Sequence, residues 1–383
     1  MSLVLNGEQA MLRDSALQFL NDNAPPAQLR RLRDGQDDAS AADGFARPLW
    51  REFAAMGFTG VLVPEDDGGL GLGMVEAGAI MEAVGHNLSA VPYLATAVLG
   101  ATLLARHGSP EQRARLLPPL AAGTHLVALA IDEAPRHRPQ RQCLRARPDG
   151  AGFSLSGAKT FVVDGHVADT LIVAARTDGA DEDDDGVTLF LVDAGAPGVR
   201  RERTVMVDAH NAARIVFDGV HVAADAVLGT VDAGRALLDG ALDAGRVALA
   251  AELLGIADEA AGRTLNYLKE RRQFGRIIGE FQALQHRAAD LYCEIEVTRA
   301  AVQGACRALD LGSPDAPALA SVAKARAGAT AARAVQEAVQ MHGGIGMTDE
   351  LDIGLFMKRA RVADELFGDA RFHADRWARL NGY

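Results

Sequence analysis

Two short segments hold the residue types best suited to chemistry. The first is ERRQFGRIIGEFQALQHRAADL, from Glu270 to Leu291. It sets Arg271, an always-charged donor with a planar fork, just before a Phe274-Gly275 turn, and it places Gln282 at the head of a long amphipathic helix. An arginine fork matches two phosphate oxygens at once, so it suits a pyrophosphate. Spacing alone favours a plain solvated arginine. The second segment is AVQMHGGIGMTDE, from Ala338 to Glu350. A helix is expected to end there at Gly343-Gly344, where bare backbone amides allow close approach of a ligand; taken in isolation, the residues favour a simple glycine C-cap.

Other chemistries find no support. None of the ten histidines has metal-ligand spacing, and neither H-E-x-x-H nor C-x-x-C occurs, so no metal site is expected. There is no G-x-S-x-G elbow and no P-loop lysine motif. Cys143, Cys293 and Cys306 read as reduced structural thiols of a cytoplasmic protein. A net charge of −12 argues against a nucleic-acid backbone or an anionic membrane as partner. The basic run Arg136–Arg147 reads as a solvated loop, and Asp181–Asp185 as an exposed hairpin loop rather than a calcium loop. The opening MSLVLNGEQA has no basic region leading into an apolar stretch, so no leader is expected. Val91–Ala105 is too short to span a bilayer.

The elements that must position these residues change character twice. Residues 1 to 123 read as helical, with apolar positions at Leu17, Phe19, Leu20, then Trp50, Phe53, Ala54, Met56, then Ala97–Leu104. The run GGLGLG, Gly68–Gly73, is a loop and not a dinucleotide fingerprint, since no strand precedes it. From 124 to 232 short runs rich in β-branched residues predict strands: Leu126–Ile131, Lys159–Val163, Thr170–Ala175, Val187–Val192, Arg214–Phe217 and Val220–Val222. From 233 to 383 helical spacing returns, at Leu238, Leu242, Leu249, Leu253, Ile256, and again at Leu284, Ala288, Leu291, Ile295, Thr298, Val302, Ala305. Ala334–Met341 continues it, with a final helix over Leu355–Leu366. Three domains in the order helical, β, helical follow, rather than a doubly wound sheet.

The chain resembles the acyl-CoA dehydrogenase family along nearly its whole length, most closely in the two segments quoted first and in PEDDGGLGLG, Pro64–Gly73. The resemblance implies an N-terminal helical domain, a middle β domain and a C-terminal four-helix bundle. It also implies FAD as cofactor, an acyl-CoA thioester as substrate and an electron-transferring flavoprotein as acceptor. The residues matching the family's contacts to the FAD of a neighbouring subunit are Arg271, Phe274, Gln282, Gln340 and Gly344, and Arg246 matches a substrate-side arginine.

The family oxidises the α,β bond: a carboxylate takes the α proton and the β hydrogen leaves as hydride to the flavin. That carboxylate is usually a Glu before the glycine of the last helix turn. Aligned through LFMKRARVADELFGDARFHADR, the position holds Phe367, followed by Gly368. The earlier-helix alternative, in LDAGRVALAAELLG, holds Gly245. Of the family's Thr-Glu-Pro run only Glu133 survives, and Phe161, Val162 and Val163 stand for the Trp-Ile-Thr that covers the flavin. What is lost is the half-site offered to a subunit's own flavin, and what remains is the half offered to a neighbour. The chain thereby resembles the small subunits of two-gene enzymes such as pimeloyl-CoA dehydrogenase and steroid side-chain dehydrogenases, which pair with a paralogous subunit. Two other readings stand beside this one. One is a self-sufficient homo-oligomer with a relocated base, for which Glu252 and Glu365 are the first candidates. The other is a non-catalytic scaffold.

Overall fold

The structure, a computed structural model, describes residues 3–35 and 38–383. Its backbone contacts gather into two compact units, one of residues 1–34, 74–90 and 246–383, the other of residues 35–73 and 91–245.

The first unit is helical. Ala316–His342 lies against Gln282–Asp310, Ile353–Glu365 and Ala370–Leu380, and Gly7–Asn23 packs on Met74–Asn87. The buried face of Ala316–His342 is Ala320, Ala323, Ala327, Ala331, Ala334 and Ala338. Spacings of three and four keep these on one side, and their small side chains let neighbouring helices approach closely. The amides of Met74 and Val75, orphaned at a helix start, are met by the carboxylate of Asp310 at 2.5 and 3.1 Å. The helix expected over Leu355–Leu366 is present, but it is not the last. Ala370–Leu380 follows, opened by Asp369, whose carboxylate accepts from Phe372 N at 2.8 Å.

The second unit centres on one eight-stranded sheet. Its strands are β1 (Val127–Ala130), β2 (Arg145–Asp149), β3 (Gly152–Val163), β4 (Thr170–Arg176), β5 (Val187–Asp193), β6 (Val199–Val205), β7 (Asn211–Ala223) and β8 (Val227–Leu228). The order is β6-β7-β3-β2-β4-β5-β8, with β1 parallel to β4. Leu155, Leu171, Val173, Phe190, Ile215 and Phe217 fill the core of this sheet. Arg214–Phe217 and Val220–Val222, expected as separate runs, are one strand, β7. β2 and β6 went unforeseen because their sequences, RARPD and VRRERTV, are polar and β6 is exposed from Arg200 to Val205. Part of the basic run expected to be solvated is therefore strand β2.

The loop Asp181–Asp185 does join an antiparallel pair, β4 and β5. It is organised from beneath by Arg176, only 1% exposed, whose guanidinium donates to the carbonyls of Asp181, Asp183 and Asp185 at 2.9, 2.9 and 2.5 Å. The same unit carries helices Arg47–Ala55 and Pro110–Ala121 and the π-helical turns Tyr93–Gly100 that continue into Ala101–His107. Among the described residues no helix is long and apolar enough to cross a membrane.

Candidate functional site

The helix Gly234–Glu270, which belongs to the helical unit from Arg246 onward, runs out into a two-stranded hairpin, Arg272–Gln273 paired with Arg276–Ile277. Phe274 and Gly275 turn it with φ of +53° and +79°. Two successive left-handed residues make the tight turn whose twist suits a hairpin, at a conformational cost for the non-glycine Phe274. Phe274 meets the Phe281 ring edge-on with centroids 6.1 Å apart but stays 90% exposed, so packing within the chain repays little of that cost. Arg271 is also exposed, and among the described residues no hydrogen bond or ion pair holds its guanidinium. Arg276 instead lies over the Phe281 ring at 4.0 Å. Gln282 is exposed on the first turn of its helix, and Gln340 is exposed near the end of Ala316–His342.

That second helix stops at Gly343, whose φ of 67° and ψ of −141° only glycine adopts freely. Gly344 is different. A Cβ built on it meets nothing within 4 Å, so no neighbour inside the chain demands a glycine there. A bare backbone in open space is what close approach by an outside ligand requires. All five residues expected to meet a flavin therefore lie exposed on one unit. The hairpin and the glycine turn adjoin through Tyr267, whose hydroxyl donates to the His342 carbonyl at 3.4 Å. An exposed arginine fork beside bare amides fits a pyrophosphate.

The base position is built oppositely. Phe367 is 6% exposed and held at φ +57°, and Gly368 follows at +107°. Arg246 is 1% exposed; its Nε faces the Phe367 carbonyl at 3.4 Å and its guanidinium lies over Phe372 at 5.5 Å. The arginine expected on the substrate side thus supports this turn. Lys324, fully buried, donates to the carbonyls of Asp364 and Gly368 at 2.8 and 3.1 Å. Burial pulls its ammonium down to about 8, and burial likewise raises the Asp364 carboxyl above its usual range.

The carboxylates considered as replacement bases have other partners. Glu252 is buried against Arg359 at 2.5 Å, and Glu365 pairs with Arg361 at 2.6 Å. Gly245 lies inside a helix with no side chain to offer.

In the β unit, the segment matching the flavin floor is closed on itself. Glu133 accepts from Lys159 Nζ at 2.6 Å and from the amides of Cys143 and Leu144 at 2.6 and 2.9 Å. Lys159 is fully buried and also donates to Gln142 Oε1 at 2.6 Å. Burial opposes both charges and pulls the Lys159 ammonium below its ordinary range. For Glu133 the ammonium and the two amides outweigh burial and hold the carboxyl below its usual range. Asp132 takes the place of the family's threonine, and its carboxylate receives His137 Nδ1 at 3.0 Å. Phe161 sits at φ +50° where the β3–β7 register shifts, which turns its ring outward, while Val162 goes into the core. These residues do not fit the family's flavin floor: the surviving Glu133 serves the fold, and no hydroxyl replaces the lost threonine at Val163. Sequence reading missed Lys159, Gln142, Tyr267 and His342; the available signal was a lysine opening the apolar run KTFVV, which needs a buried partner.

Comparison with known proteins matches three family descriptions in chain order: acyl-CoA dehydrogenase N-terminal domain over residues 6–124, middle domain over 139–220 and C-terminal domain over 232–379. The chain is 33% identical over 333 residues to acyl-CoA dehydrogenase FadE27 of Mycobacterium tuberculosis, covering 85% of this chain and 86% of that protein. A variant of the Tcur3481-Tcur3483 steroid ACAD superposes with a TM-score of 0.87 at 34% identity, covering 98% of this chain and 97% of the other. The ChsE4-ChsE5 complex from M. tuberculosis superposes with a TM-score of 0.88 at 28% identity over 100% of both chains. On these matches and the helical–β–helical order of its elements, the chain belongs to the acyl-CoA dehydrogenase family of FAD-dependent oxidoreductases.

Proposed function

We propose that this chain is the base-lacking subunit of a heteromeric, FAD-dependent acyl-CoA dehydrogenase. It lends its exposed half-site to a flavin whose remaining contacts, and whose catalytic carboxylate, come from an unlike paralogous subunit. The observation that carries this reading is the buried phenyl of Phe367 where the family keeps its base. A hydrocarbon ring accepts no proton, and a positioned general base is worth roughly 10²–10⁴-fold in rate. The family members ChsE4-ChsE5 and Tcur3481-Tcur3483, both named as pairs, lend it support.

Bound FAD would supply the hydride acceptor, and an electron-transferring flavoprotein would take the electrons onward. The residues of this chain have binding work only. Arg271 neutralises pyrophosphate charge, Phe274 covers an apolar face of the cofactor, Gln282 and Gln340 offer amides, and Gly344 admits close backbone approach. On the same reading the chain divides into an N-terminal helical domain at 1–123, a middle β domain at 124–232 and a C-terminal bundle at 233–383. The test is acyl-CoA dehydrogenation with an artificial electron acceptor, for the chain alone and co-expressed with a candidate paralogous subunit of the same family. Turnover only in the pair is expected; ordinary dehydrogenase rates from the chain alone would refute the assignment.

A further inference from the structure

Tyr267 stands in the last turn of the helix Gly234–Glu270 and touches both segments that carry the candidate flavin residues. Its carbonyl accepts from Arg271 N at 2.9 Å, which fixes the residue that opens the hairpin. The hairpin closes one bond further on, where Ile278 N donates to the Arg271 carbonyl at 2.8 Å. On its other side, Tyr267 reaches a residue 75 positions away: its hydroxyl donates to the His342 carbonyl at 3.4 Å. The two rings also stack, with centroids 4.4 Å apart and planes inclined by 28°.

His342 is itself fixed. It is buried, and its Nδ1 donates to the Ala338 carbonyl at 2.8 Å, a partner that can only accept. The residue after it is Gly343, so the imidazole anchors the helix end from which Gly343 and Gly344 project.

We infer that Tyr267 is a positioning residue: with His342 it locks the Arg271–Phe274 hairpin and the Gly343-Gly344 turn into one fixed arrangement, so that both meet the flavin together. This rests on the reading that these segments contact FAD. The physical need is plain. Residues 271–276 are exposed throughout, so packing does little to hold them. Two independently mobile segments would each lose conformational freedom on binding the cofactor, and tying them together beforehand removes most of that cost. Tyr267 has the required chemistry at both ends, a backbone bond into the hairpin and a ring-plus-hydroxyl contact to the turn.

The test uses the full chain with Tyr267→Leu and Tyr267→Phe, read by amide hydrogen exchange. Tyr267→Leu removes the stack and the hydroxyl. It should speed exchange about tenfold in both the 271–278 and 343–348 segments, on the scale of one net hydrogen bond plus an aromatic contact, while the middle of helix Gln282–Asp310 stays protected. Tyr267→Phe keeps the stack and should recover most of the protection. FAD affinity of the flavin-loaded assembly, measured by flavin fluorescence, should fall in the same order. Faster exchange at 271–278 with none at 343–348 would overturn the coupling. Arg271→Ala separates the two levels of the argument. If it weakens FAD binding while Tyr267→Leu does not, the positioning role alone fails; if it leaves FAD binding unchanged, the flavin reading fails, and the exchange result still decides the coupling.

Discussion

The exposed hairpin and glycine turn of the helical unit and the closed strand segment of the β unit, which the proposed function reads as two halves of one kind of cofactor site, use their polar groups in opposite ways. At Arg271, Gln282, Gln340 and Gly344 the polar atoms face outward. At Glu133, Gln142 and Lys159 they face each other, and Asp132 faces His137, in hydrogen bonds of 2.6–3.0 Å. An unpaired buried charge is costly, so a segment that no longer holds a ligand is stable only once its charges have found internal partners. A segment whose ligand comes from outside is under no such pressure. On the proposed reading, the difference teaches that exposure kept at the expense of a strained Phe274, and of an Arg271 guanidinium without a partner among the described residues, marks a half-site that meets its ligand from outside.

The contrast can be broken most forcefully at Lys159. Lys159→Met should destabilise the β unit by about 3–5 kcal/mol, because Glu133 then stays behind without its ammonium. Urea denaturation would measure it, and flavin affinity of the assembly should not change among molecules that remain folded. A loss of flavin without a loss of stability would mean that the closed segment still serves a ligand. Arg271→Ala should do the reverse. Flavin binding in the assembly should weaken by about 1.5–3 kcal/mol, tenfold to over a hundredfold, with an unchanged denaturation midpoint.

The turn under Phe367 gives a subtler test through pH. The Lys324 ammonium is pulled from 10.5 to about 8, so between those values the unfolded chain holds a proton that the folded chain has released. Stability from this group therefore rises with pH across that window, by up to about 1.4 kcal/mol per pH unit. Lys324→Met should flatten the slope of unfolding free energy between pH 8 and 10.5; an unaltered slope would show that Lys324 titrates normally. The smallest effect is expected from Phe367→Glu. A carboxylate restored there does not restore the flavin floor, since Glu133 is engaged by Lys159 and Val163 has no hydroxyl, so the variant should be inactive alone and near wild type in the heteromer. Turnover gained by this change in the isolated chain would show a more complete flavin pocket than described.

Much of this was legible from residues. The segments Glu270–Leu291 and Ala338–Glu350 stand out because their arginine, glycines and helix signals are local, and local signals survive in a single sequence. Phe367 was legible as a loss, since alignment places a ring where a carboxylate is needed. The long-range pairings were hidden. Nothing near Lys159 announces Glu133, 26 positions earlier, and nothing near Tyr267 announces His342. Strands β2 and β6 escaped because polar strands carry little hydrophobic alternation, and the helix Ala370–Leu380 lay beyond the last apolar run that was read as helical.

The most direct measurement is flavin stoichiometry by absorbance, on the chain purified alone and co-purified with a candidate paralogous subunit. The account predicts a colourless or weakly coloured chain by itself and one FAD per unlike pair in the complex. A yellow homo-oligomer carrying one FAD per chain would contradict it.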